Sequence, residues 1–142
     1  MKEVFSHTFP SGTIRADATS VTLVNNTAKT TDISVPTDGV WELQIIKVTN
    51  PDDVARVVTV SLYTTPAKTV LVATLVSGSV NAGSRLMFPH GVVSASQLNM
   101  PNRPFLLGAT WTIEVVHATG GASTGGTDAA GIVCAYRRYS YA

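Results

Sequence analysis

From Val40 to Thr64 the sequence runs VWELQIIKVTN, PDDVA, RVVTVSLYT. Side chains on an extended strand point alternately to two faces, and Val58, Val60 and Leu62 alternate with Thr59, Ser61 and Tyr63 on that period. Such a segment folds as a strand with one apolar face. Upstream, Trp41, Leu43 and Ile45 share one face, after which the apolar phase slips to Ile46 and Val48. Either a β-bulge near Ile45-Ile46 or burial of both faces accounts for the slip. Between the segments lies Asn50-Pro51-Asp52-Asp53. Proline fixes φ there, and Asn or Asp bonds nearby backbone, so these residues make a turn. The expectation is a central hairpin, with the other strands paired beside it or packed over it.

No helix-length period appears in the rest of the chain. Short strands are expected over Ser20–Val24, Thr30–Val35, Arg85–Phe88 and Phe105–Leu107. Lys68–Val76 is apolar on both faces and reads as a buried strand. Thr110–His117 places Trp111, Ile113 and Val115 inward, with Thr112 and Glu114 outward. Ile132–Tyr139 closes the series, with Ile132, Cys134 and Tyr136 on one face. Pro, Gly and Asn clusters such as Pro36-Thr37-Asp38-Gly39 punctuate these segments. Many short strands with regular turns predict an all-β chain, an antiparallel β-sandwich or barrel of jelly-roll-like form. One such domain covers residues 1–142. Residues 1–12 read as an N-terminal arm anchored by Val4, Phe5 and Phe9, or else as an ordinary first strand.

Charged residues are 13% of the chain, against about 25% in an average soluble protein. Thr, Ser and Asn therefore supply much of the polar surface, a composition common on proteins covered by neighbours and one that a plain β-sandwich also carries. The net charge of +1 produces no global field for nucleic acid or an anionic membrane. Neither partner is expected. No apolar run is long enough to span a bilayer, and the first residues lack a signal-peptide hydrophobic region.

The residues that carry chemistry elsewhere are scattered here. Asp52 and Asp53 are adjacent turn carboxylates, too few for a calcium site. His7, His90 and His117 have no metal-ligand spacing and read as solvated or singly bonded. Cys134, between Val133 and Ala135, reads as a buried, inert thiol. No Gly-x-Ser-x-Gly elbow is present, and the glycine-rich stretch 118–129 lacks the Lys-Ser/Thr of a phosphate loop. Trp41 and Trp111 share faces with aliphatic residues, so they are expected in the core, and Tyr63 is the better candidate for an exposed ring. Arg137-Arg138-Tyr139-Ser140-Tyr141 mixes cations with aromatics. Both types are enriched at protein interfaces, so Arg137, Arg138, Tyr139 and Tyr141 join Val4, Phe5 and Phe9 as expected contacts with another subunit or partner. No catalytic, cofactor or metal residue is assigned, and the chain is not expected to be an enzyme.

Two segments resemble small all-β virion proteins of tailed bacteriophages, of the capsid decoration (cement) type. One is Ile45-Ile46-Lys47-Val48-Thr49-Asn50 followed by Val57-Val58-Thr59-Val60-Ser61-Leu62-Tyr63. The other is Pro104-Phe105-Leu106-Leu107-Gly108 followed by Thr110-Trp111-Thr112-Ile113-Glu114-Val115. The family pattern often has Asp after the glycine, where this chain has Ala109. What the resemblance implies is a jelly-roll-like sandwich, usually a homotrimer, made in the host cytoplasm. It would bind the major capsid protein on the outside of the virion and stabilise the shell, with no catalytic residues. The alternative function is a carbohydrate- or receptor-binding β-sandwich of a phage tail or neck.

Overall fold

The computed structural model describes residues 14–24, 27–89, 105–118 and 129–140. Nine strands are described: β1 (Ile14–Thr22), β2 (Lys29–Ser34), β3 (Gly39–Thr49), β4 (Arg56–Tyr63), β5 (Leu71–Val80), β6 (Arg85–Phe88), β7 (Phe105–Leu107), β8 (Thr112–His117) and β9 (Ala129–Ser140). They form two antiparallel sheets. One runs β1-β9-β3-β6, with β7 also paired to β3; the other runs β2-β8-β4-β5. Setting the short β7 aside, this is the double Greek-key wrap of a jelly roll.

The two sheets face each other across one core. Trp41, Leu43, Ile46 and Val48 of β3 and Ile132, Cys134 and Tyr136 of β9 meet Val58, Val60 and Leu62 of β4 and Ile113 and Val115 of β8. Each such large aliphatic side chain removed from water contributes about 1.5–3 kcal/mol before entropy is counted. Trp41 stacks on Tyr136 with ring centroids 3.7 Å apart and planes 9° apart.

The slip in β3 is a bulge. Leu43 pairs with Tyr136 and Ile45 with Ala135, so Gln44 is the extra residue. Inward positions change there from Trp41 and Leu43 to Ile46 and Val48. The expected hairpin is not formed, because β3 and β4 lie in different sheets. The segment 50–55 is a corner between sheets, and the side chains of Asn50 and Asp52 both cap its backbone and reach across it. The hairpin is instead β4–β5, joined through Thr64–Val70.

Two further expectations are corrected. Lys68–Val76 is not buried throughout: Val70, Leu71 and Val72 are exposed, at 55%, 53% and 41%. The pairing of β5 to β4 shifts register twice, leaving Leu75 and then Val72 as extra residues. One shift puts both Leu75 and Val76 inside, while the other leaves both Leu71 and Val72 outside. Thr112, expected outward, is fully buried. Its hydroxyl shares a hydrogen bond with that of Ser34 at 3.0 Å. Trp111 precedes β8 in a tight turn with Gly108 and Thr110, and is only partly buried against the core. A Cβ on Gly108 would stand 3.0 Å from the Trp111 indole nitrogen.

Trp41→Ala is expected to destabilise the protein by about 3–5 kcal/mol, as buried aromatic truncations do. Trp111→Ala is expected to cost clearly less. Denaturant unfolding midpoints of the two variants check the order.

Candidate functional site

Polar groups gather at one end of the sandwich, where the β1–β2, β3–β4 and β5–β6 connections meet the end of β8. The inward phase of β4 runs Arg56, Val58, Val60 and Leu62, so an arginine begins a core-facing row. Arg56 is 1% exposed. Its Nε donates to Asp52 Oδ2 at 2.6 Å. Nη1 donates to the carbonyls of Thr27 (3.3 Å) and Ala118 (3.2 Å), and Nη2 to that of Val24 (2.9 Å). One side chain thus ties the β3–β4 corner to the β1–β2 connection and to the end of β8.

Asn50 performs the same service on the other side. Its Nδ2 donates to the carbonyls of Val54 and Val80, each at 2.9 Å, and its Oδ1 accepts the Asp52 N–H at 3.2 Å. Thr49 closes the circle to β9: its hydroxyl accepts from Gly131 N at 2.7 Å and donates to Gly131 O at 3.2 Å. His117 follows Ile113 and Val115 on the inward face of β8 and is fully buried. Of the two expectations for this ring, solvated or singly bonded, the structure has the second. With Nε2 lying 3.4 Å from the Thr49 carbonyl, the neutral ring places its proton there, and Nδ1 has no partner among the described residues. Burial holds the His117 pKa below the ordinary 6.5, the Thr49 carbonyl bond opposes this, and Arg56 lowers it further. Lys29 is its cross-strand neighbour on β2. In this cluster Arg56 and Asn50 spend their donors on protein acceptors, which makes it a structural clamp. Asp52 and Asp53 are turn residues as expected: Asp53 N donates to Asp52 Oδ1 at 2.9 Å.

Of the expected contact residues, Val4, Phe5, Phe9 and Tyr141 lie outside the described residues, as do His7 and His90. The other three lie together near the end of β9. Tyr139 donates its hydroxyl to Glu42 Oε2 at 2.7 Å, and Arg137 Nη1 stands 3.7 Å from the same oxygen. These three side chains share the outer face of the β1-β9-β3-β6 sheet. Arg138 is on the opposite face in register with Trp41, and its Nη2 contacts both Asp38 oxygens at 3.1 and 3.0 Å. The structure therefore splits the basic run between two faces and pairs each arginine with a carboxylate.

Cys134 is fully buried, and burial, with Asp17 nearby, pushes its thiol up to about 12. The described residues contain no group of His, Cys, Asp or Glu able to hold a metal ion. Tyr63 is half-buried. What the sequence reading missed is the exposed strip Val70–Leu71–Val72 and the buried Arg56.

Two outcomes follow for the clamp. Asn50→Ala is expected to cost about 1–3 kcal/mol, because it leaves buried carbonyls unsatisfied, as read from chemical denaturation. Since the His117 pKa is lower folded than unfolded, the unfolded chain takes up the proton first. The stability that His117 contributes is complete above about pH 6.5 and falls below it, by at most about 1.4 kcal/mol per pH unit, until the folded pKa is reached. His117→Gln is expected to remove that slope from a series of unfolding curves between pH 4 and 8.

No protein-family model matches the chain, and no curated protein matches it. Among solved structures, the chain is similar to the crystal structure of PirA at a TM-score of 0.45 and 14% identity, over 82% of this chain and 92% of that one. A second likeness is to the structure of infectious bursal disease virus Gx strain, at a TM-score of 0.31 and 12% identity. It covers 92% of this chain and 39% of the viral one.

Proposed function

We propose that this chain is a virion structural protein: a decoration protein that seats on the outside of a phage capsid and stabilises the shell. The observation that supports the reading most is the exposed run Val70, Leu71 and Val72 leading into β5, an edge strand that carries no charge. Three adjacent apolar side chains left in water gain free energy when a neighbour covers them, and exposed apolar patches mark such contacts. The resemblance of Ile45–Tyr63 and Pro104–Val115 to phage virion proteins points to the major capsid protein as that neighbour. A protein that binds the assembled shell but not its separated subunits shifts the equilibrium toward the shell. Repetition over many sites multiplies a small gain at each. The competing reading, a sugar- or receptor-binding sandwich, needs exposed rings. Trp41 and Tyr136 are buried, while Tyr63, Trp111 and Tyr139 are half-buried.

Co-sedimentation with empty capsids tests the proposal. The full chain is expected to pellet with shells and to raise their rupture temperature. Leu71→Asp with Val72→Asp is expected to keep the fold, since both sites are exposed, and to lose shell binding. A chain that never pellets with shells would sink the reading.

A further inference from the structure

Strand β1 is unlike the other sheet edges. All residues from Arg15 to Ser20 are exposed, on both faces of the strand. The β1-β9-β3-β6 sheet therefore overhangs its companion at this edge. β1 pairs with β9 in unbroken register from Ile14 to Thr22, and among the described residues no strand pairs with its second edge. By contrast β5 is twice bulged and β6 is four residues long, and bulges and shortness both discourage edge pairing. Inward-pointing charges also discourage it, and β1 has two: Arg15 and Asp17 lie opposite Tyr136 and Cys134, on the inner face. Their signs are opposite, and that makes them selective.

We propose that β1 is the docking edge for a second copy of this chain, the two β1 strands pairing antiparallel about a two-fold axis at Ala16, with Arg15 of each copy opposite Asp17 of the other. In that register the four charges form a square in which every side joins opposite signs. A slip of two residues sets Arg15 against Arg15 or Asp17 against Asp17, and like charges directly opposite are destabilising. The charges thus admit one register and reject its neighbours. The small residues Ala16, Ala18 and Ser20 keep the other face flat. The uncovered inner face leaves room for the second sandwich. Asp17 already accepts the Tyr136 hydroxyl on Oδ2 at 2.7 Å, which holds the carboxylate on this face. The contact is isologous, as two-fold interfaces are. It joins the two sheets into one continuous sheet and gives a dimer in place of the trimer implied by the phage resemblance. It does not depend on the shell-binding role.

The test is sedimentation equilibrium of the full chain from about 1 µM to about 1 mM, a span that covers weak association. Wild type is expected to form a dimer. Arg15→Glu turns both opposite-charge pairs into like-charge pairs and is expected to weaken the dimer on the order of ten-fold or more. Adding Asp17→Lys restores opposite signs and is expected to recover most of that loss. Both residues are exposed, so thermal melting of the variants should match wild type to within a few degrees. A wild type that stays monomeric, a trimer, a dimer indifferent to Arg15→Glu, or a double variant as weak as the single one would each overturn the proposal.

Discussion

Arg56 carries a full positive charge into the interior, and one end of the sandwich is arranged around it. Moving an ion of this kind out of water costs several kcal/mol even after the protein relaxes. The cost is offset only where geometry is good and the guanidinium donors are satisfied. Here Asp52 supplies the opposite charge, and Val24, Thr27 and Ala118 supply carbonyls. These partners come from three separate connections, so the arginine is satisfied only when all three are in place. In a jelly roll most connections cross from one sheet to the other, and sheet packing alone fixes them poorly. The Arg56 and Asn50 clusters fix them with directional bonds.

That arrangement divides the molecule by how its polar groups are used. At the clamped end Arg56 and Asn50 spend their donors internally, and the lowered pKa of the buried His117 predicts a loss of stability in acid. The sheet edges are another matter. β5 offers Val70, Leu71 and Val72 to a neighbour, and β1 offers backbone and a self-complementary pair of charges. Several of the described charges away from these edges are paired within the fold: Lys68 reaches Glu114 and Asp32, Arg137 reaches Glu42, and Arg138 reaches Asp38.

Much of the fold was legible in periodicity. The inward rows of β4 and β9 follow from counting by two, because the sandwich buries one face of each strand, while the phase slip in β3 marked a place where either a bulge or two-faced burial had to occur. The β3–β4 pairing was not legible: a polar turn of six residues serves a hairpin or a corner equally well, and the choice depends on what the turn side chains bind. Arg56 was half legible. Its phase with Val58 and Val60 places it inward, and Asp52 lies four residues before it, so a charged residue on an apolar face had a candidate partner. His117 shares that logic with Ile113 and Val115. The exposed start of β5 was hidden, since the double bulge that turns Leu71 and Val72 outward leaves no mark in a uniformly apolar run.

The central claim, that the buried Arg56–Asp52 pair organises this end of the sandwich, is tested most directly by a double-mutant cycle of Arg56→Ala and Asp52→Ala read from equilibrium unfolding. Each single change strands a buried charge and is expected to cost about 3–5 kcal/mol. Removing both strands neither charge, so the double variant is expected to lose scarcely more than one single variant, a coupling of at least about 2 kcal/mol. Additive losses, with a coupling within about 0.5 kcal/mol of zero, would contradict the claim.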